Sequence, residues 1–148
     1  MASTSDLGEL EVELTRLLRR ARSAQQRTAA EVHPDLDSAG YVVLVAVRDL
    51  AATGGGARGG DISDLLGLHK STTSRNLTTL EELGLVERIL DPADARARQV
   101  RLTTAGSAAL DRTLAGRRER LRARLEGWEA KDVTDLARLL RLLNETAP

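Results

Sequence analysis

The segment Asp61-Ile62-Ser63-Asp64-Leu65-Leu66-Gly67-Leu68-His69-Lys70-Ser71-Thr72-Thr73-Ser74-Arg75-Asn76-Leu77 constrains this chain more than any other, because it reads as two short amphipathic helices meeting at a glycine. Ile62, Leu65 and Leu66 mark one apolar face of the first helix. Asp61 and Asp64 put negative charge in its opening turn, where the helix dipole favours it. Gly67 permits the left-handed turn that ends it. In the second helix Leu77, Leu80 and Leu83 carry an apolar stripe to Gly84, while Ser71, Thr72, Arg75 and Thr79 fall largely on the opposite face. This is the layout of a helix-turn-helix. Its outer face has what a helix entering the DNA major groove needs: short side chains, hydroxyl donors for phosphate and an arginine long enough to reach a guanine edge. On these residues alone, a helical pair with a merely solvated polar face is the alternative.

The residues that follow favour the first reading. Leu85-Val86-Glu87-Arg88-Ile89-Leu90 has strand length, and Val100-Arg101-Leu102 alternates apolar and polar. The nine residues between them, Asp91 to Gln99, carry Arg96 and Arg98 and little apolar mass, which predicts a projecting loop and not a minimal hairpin. Two strands joined by such a loop after a recognition-type helix make a wing.

Three stretches together carry a resemblance: Glu82-Leu83-Gly84-Leu85-Val86-Glu87-Arg88, Asp91-Pro92-Ala93-Asp94-Ala95-Arg96, and Val100-Arg101-Leu102-Thr103-Thr104-Ala105-Gly106. They resemble the winged helix-turn-helix signature of the MarR family of transcription regulators, with the wing as the more specific part. The resemblance implies a mainly α fold with a small two- to three-stranded β-wing, flanked by N- and C-terminal dimerisation helices. It implies that Ser71, Thr72, Ser74 and Arg75 sit at the major groove and that Arg96 reaches into the flanking minor groove, oriented by a charge-assisted hydrogen bond to Asp94. With Lys70, Thr79 and Arg98 these residues form the candidate DNA-binding set, and Asp94 is the wing support. The chain departs from the family pattern at three positions. Ala95 stands where the first of two adjacent arginines is common, leaving Arg98 as substitute. His69 replaces a carboxylate before the recognition helix and caps less well, and Thr73 replaces an aliphatic residue beneath it.

Charge tests this reading, since 22 basic and 22 acidic residues cancel and a DNA binder usually shows a basic footprint. Distribution answers the objection: Lys70, Arg75, Arg88, Arg96, Arg98 and Arg101 cluster on the helix and wing, although Glu81, Glu82 and Glu87 partly offset them. The expectation is binding that depends on specific contacts, with weak affinity for random DNA.

At 148 residues the chain reads as a single domain, 1–148, with residues 36–103 as the winged DNA-binding part and 5–34 and 104–146 as helical dimerisation parts. Phe is absent, so the core is built from Leu, Val, Ile and Ala, which favours helices. The absence of Cys excludes disulfides, thiolate switches and zinc-finger chemistry. The first thirty residues lack a signal-peptide pattern, and the longest apolar run, Tyr41 to Val47, is far too short to span a bilayer, so a cytoplasmic location with no membrane partner is expected. No cofactor and no enzymatic activity are expected, because His33 and His69 have no Ser, Cys or carboxylate at a catalytic spacing.

Leu7, Leu10, Leu14 and Leu17 follow heptad steps, Leu110, Leu114, Leu121 and Leu125 line one later helical face, and Val133, Leu136, Leu140 and Leu143 line another. Thr103 is the expected cap of the first of these later helices, and Gly127 marks the break between them. Such helices carry more apolar surface than a winged module can cover. A homodimer joined through Leu7, Leu10, Leu14, Leu17, Leu136, Leu140 and Leu143 is therefore expected. The basic run from Arg117 to Arg124 reads as a solvated helix face. A middle helix capped by Asp37 runs to about Leu50, and the glycine-rich stretch Thr53 to Gly60 reads as a mobile connector. Family members often answer to a small-molecule effector, for which the resemblance makes His33, Tyr41 and nearby arginines candidate contacts. Trp128 reads as a core or interface anchor. The reading is a homodimeric repressor of pseudo-palindromic operators on double-stranded DNA. The competing one is a winged-helix dimer that serves as a protein-interaction module without specific DNA binding.

Overall fold

The computed structural model describes residues 3–54 and 56–145, with only the backbone of Ala95. Gly55 of the expected connector and Thr146 of the expected C-terminal part lie outside the described residues. Six helices and two strands follow in the order α1 (Thr4–Val32), α2 (Ser38–Ala52), α3 (Gly59–Leu66), α4 (Lys70–Glu82), β1 (Val86–Asp91), β2 (Asp94–Leu102), α5 (Thr104–Arg124) and α6 (Ala130–Glu145). The chain forms two compact units, 1–113 and 114–148.

In the first unit α2 is the centre. Asp37 caps it by accepting from the Gly40 N–H at 2.7 Å, and Tyr41, Val43, Leu44, Ala46 and Val47 are all buried. A helix so apolar must be covered on several sides, and α1, α3, α4 and β2 all pack against it. Of the 29 residues of α1 only Thr28, Ala29 and Val32 are buried. Leu7, Leu10 and Leu17 are about half exposed, at 56%, 51% and 51%. Leu14 is intermediate.

The helix-turn-helix forms where its sequence predicts, except that Leu65 of the expected apolar face is 56% exposed and Ser63 is buried instead. Gly67 takes φ 62° at the end of α3, and the Leu68 N–H closes the turn on the Ser63 carbonyl at 3.0 Å. Ile62 and Leu80 are wholly buried between the helices. Thr73 joins them: its hydroxyl lies 2.9 Å from that of Ser63, and both residues are buried. Ser63 also donates to the Gly59 carbonyl at 2.9 Å. The departure from an aliphatic residue at position 73 is thus met by a paired hydroxyl, which satisfies the buried polar group.

The expected projecting loop is mostly strand. β1 pairs antiparallel with β2 from Val86↔Leu102 to Leu90↔Arg98, and the connecting turn is only Pro92 and Ala93. The mix of charged residues and alanine from Asp94 to Gln99 hides this strand from a hydrophobic pattern, and pairing of Asp94, Arg98 and Gln99 with β1 anchors it. The register slips once: Asp91 pairs with Asp94, so residues 95–97 of β2 have no partners on β1. A third lane of the wing is a single bridge, Ala57↔Val100. The segment expected as a mobile connector is therefore tied down on its C-terminal side, with Ala57 fully buried and the Val100 N–H donating to its carbonyl at 2.7 Å.

The Leu-Thr-x-x-Gly stretch acquires a physical meaning. The Thr103 hydroxyl donates to the Gly84 carbonyl at 2.6 Å and accepts from the Gly106 N–H at 2.9 Å, capping α5 as expected. Gly84 itself takes φ 68°. A Cβ on Gly106 would overlap the carbonyl oxygen of Leu85, so only glycine lets α5 begin against the base of the wing.

In the second unit the end of α5 leads through Gly127, at φ 89°, to α6. Nothing in α6 is buried. Leu136, Leu140 and Leu143 are 41%, 38% and 48% exposed. Trp128 is 49% exposed, so it is no core anchor of this unit.

Replacing Gly106 with Ala forces helix and wing apart against backbone that has no flexible end to move. Equilibrium denaturation is expected to show a loss of about 1–3 kcal/mol with an unchanged m-value. An equally stable variant would mean that the contact is slack.

Candidate nucleic-acid interface

The site begins with the division of α4 into two faces. Thr73, Leu77 and Leu80 are buried, while Lys70, Ser71, Thr72, Ser74, Arg75 and Thr79 are exposed together. His69 occupies the N-cap without a side-chain cap bond, as its replacement of a carboxylate predicts. The first N–H groups of α4 are therefore open to an outside acceptor.

Ion pairing sorts the basic cluster. Arg88 lies 3.6 Å from Glu81 and donates to the Thr78 hydroxyl at 3.3 Å, tying β1 to α4. Arg101 pairs with Glu87 across the sheet at 2.8 Å. Among the described residues Lys70, Arg75, Arg96 and Arg98 have no side-chain partner, and all four are exposed. Of the acidic residues that offset the cluster in the composition, Glu81 and Glu87 thus take two structural arginines, and four cations are left free.

Arg96 sits in the unpaired stretch 95–97 of β2, where the extra residues lift it clear of the ladder. Asp94 does not hold its guanidinium as expected. The carboxylate accepts from the Arg96 backbone N–H at 3.0 Å, so it shapes the bend and leaves the side chain unrestrained.

Sequence reasoning missed the carboxylate that organises the wing. The Asp91 side chain has no exposed surface. Its Oδ2 accepts from Arg58 Nη2 at 2.6 Å and Nε at 2.7 Å, and its Oδ1 accepts from the Ala93 N–H at 2.8 Å. The Ala93 amide, Arg58 and Gln99 hold this carboxyl below the usual carboxylate range, and Asp91 in turn raises the Arg58 guanidinium. The Asp-Pro start of the turn was a local signal for the Ala93 bond. Nothing marked Arg58, 33 residues away in a glycine-rich segment.

The effector candidates are far from this face in character. His33 Nδ1 accepts from the Asp35 N–H at 3.2 Å. The Tyr41 hydroxyl is buried and has no hydrogen-bond partner among the described residues.

Comparison with known proteins agrees with this geometry. A MarR-family model matches residues 50–97, which cover the helix-turn-helix and most of the wing. An uncharacterised HTH-type transcriptional regulator of Bacillus subtilis, YxaD, is 28% identical over 139 residues, covering 92% of this chain and 91% of the relative. The apo form of wild-type MarR from E. coli superposes with a TM-score of 0.64 at 25% identity, over 88% of this chain and 96% of that one. Streptococcus pneumoniae FabT in complex with DNA has the same fold, with a TM-score of 0.77 at 15% identity over 95% and 96% of the two chains.

The pH dependence follows from Asp91. A carboxyl whose folded pKa is depressed contributes stability that is complete above the unfolded value of about 3.9 and is lost as pH falls through the lower folded value. Arg58 stays charged throughout. Thermal unfolding between pH 2 and 6 should therefore show an acid decline that is shallower in Asp91→Asn; identical pH profiles would remove Asp91 from the account.

Proposed function

We propose that this chain, a member of the MarR family of winged helix-turn-helix proteins, is a sequence-specific transcription regulator: a homodimeric repressor that occupies pseudo-palindromic operators and is released by a small-molecule effector. The observation that carries the DNA reading is the set of four free cations, Lys70, Arg75, Arg96 and Arg98, on an exposed helix face and wing whose other arginines are ion-paired. The hydroxyls of Ser71, Thr72, Ser74 and Thr79 supply phosphate donors, and Arg75 has the reach for a guanine edge. Arg96, lifted by the strand irregularity, is the contact for the flanking minor groove. That the similarly folded FabT was captured with DNA supports the same use of the fold here. The site is a cytoplasmic one, where chromosomal DNA is reached.

Two copies are needed to read a palindrome. The exposed leucines at positions 7, 10 and 17 of α1 and 136, 140 and 143 of α6, with half-covered Leu14, are the surfaces we assign to the partner copy. Dimerisation through them would set two α4 helices about 34–36 Å apart, one turn of DNA. The buried, unpartnered Tyr41 hydroxyl supports a polar effector group nearby, since such a group is costly to leave unmatched.

Selection from random duplexes should yield a two-fold-symmetric winner whose affinity falls steeply with salt. Arg75→Ala is expected to lose about 1–3 kcal/mol of base discrimination, and Arg96→Ala to weaken binding through the flanks. No enrichment at low salt from a folded dimer would overturn this reading in favour of a protein-interaction module. Sedimentation should give a dimer for the full chain, shifted toward monomer by Leu136→Asp with Leu140→Asp. An unchanged dimer would place the interface elsewhere.

A further inference from the structure

The Arg58–Asp91 pair has a position that neither partner's local role explains. Arg58 is the N-cap residue of α3, and its N–H donates to Asp61 at 3.4 Å. Its guanidinium ends on the last residue of β1, at the mouth of the two-residue turn. One side chain thus spans from the start of the helix-turn-helix to the wing. The neighbours reinforce the link. Ala57 bridges Val100, and Gly56 lies so close to the Gln99 side chain that a Cβ there would overlap it. Gln99 in turn helps to hold the Asp91 carboxyl below the usual carboxylate range. Arg58 and the Ala93 amide, from two distant segments, therefore hold one buried carboxylate.

Asp91 cannot touch DNA, being wholly covered, whereas Arg96 five residues later is exposed. Between them lie the Ala93 N–H bond to Asp91 and the Arg96 N–H bond to Asp94. The conformation that presents Arg96 thus starts from the carboxylate that Arg58 holds. Building on the DNA reading above, we infer that Arg58 is a positioning residue: through Asp91 it locks the wing to α3, so that the Arg96 tip and the α4 face engage DNA as one rigid unit. Breaking the lock leaves every DNA-facing side chain in place and frees the wing. The cost falls on flank recognition and not on the operator core.

The test compares wild type, Arg58→Gln and Asp91→Asn in the full chain. Amide hydrogen exchange of residues 91–98 is read in the free protein. Affinity is read for the selected operator with its flanks intact and with its flanks randomised. Both variants should exchange faster in the wing and lose roughly tenfold of the preference for intact flanks, with core-only affinity unchanged. Asp91→Asn retains an acceptor for the Ala93 N–H, so it keeps the turn while removing the charge pair. Unchanged wing exchange in both variants overturns the inference. So does a loss of core affinity in Arg58→Gln alone, which would make Arg58 a direct DNA contact. If the wild type selects no duplex, the DNA reading fails by itself; faster wing exchange in both variants would then still support the lock.

Discussion

Burial of Thr73, Leu77 and Leu80 beneath α4 is the constraint on which the rest depends. With α2 packed against that face, the opposite one has nowhere to go but outward. Fully burying a leucine is worth about 1.5–3 kcal/mol, far more than any single exposed polar contact could offset. The rotation of α4 about its own axis is therefore set by its core side, and Ser71, Thr72 and Arg75 become a surface as a consequence. The Ser63–Thr73 hydroxyl pair adds direction to this packing, since a hydrogen bond fails when the helices slide, whereas an apolar contact tolerates it.

A chain of zero net charge presents a cationic face because three acidic residues of the winged module are taken up by particular arginines. Glu81 takes Arg88, Glu87 takes Arg101 and Asp91 takes Arg58. Each of these pairs fastens one element of the winged module to another. Among the described residues of the helix-turn-helix and wing, the cations that remain unpaired lie on the wing and along α4. Net charge is thus a poor guide here, since electrostatic attraction between protein and DNA is governed by charges within about a Debye length of the contact.

Much of the fold was legible because its signals are local. Gly67 announced a left-handed turn, and Asp37 and Thr103 announced caps. Each needs only a few neighbouring residues to work. The strand from Asp94 to Gln99 was not legible, because it rests on the pairing of Asp94, Arg98 and Gln99 with β1 and not on a hydrophobic pattern of its own. The connector misled for a similar reason: glycines read as freedom, yet Gly56 is there for a close approach to Gln99 and Ala57 is a lane of the sheet. Among the candidate site residues, exposure of the α4 set followed from helical periodicity. The role of Asp94 did not, since its bond goes to backbone and not to a guanidinium.

By itself the sequence determined the winged helix-turn-helix order, the faces of its helices and the residues offered on the recognition helix. Periodicity, caps and glycine turns act over a few residues and are written where they act. Only the tertiary structure decided which arginines are free and how the wing is held. An ion pair across 33 residues, a register slip and a glycine shaped to a distant carbonyl arise when separate segments meet. Coulombic attraction and steric fit depend on distance in space, to which separation along the chain is no guide.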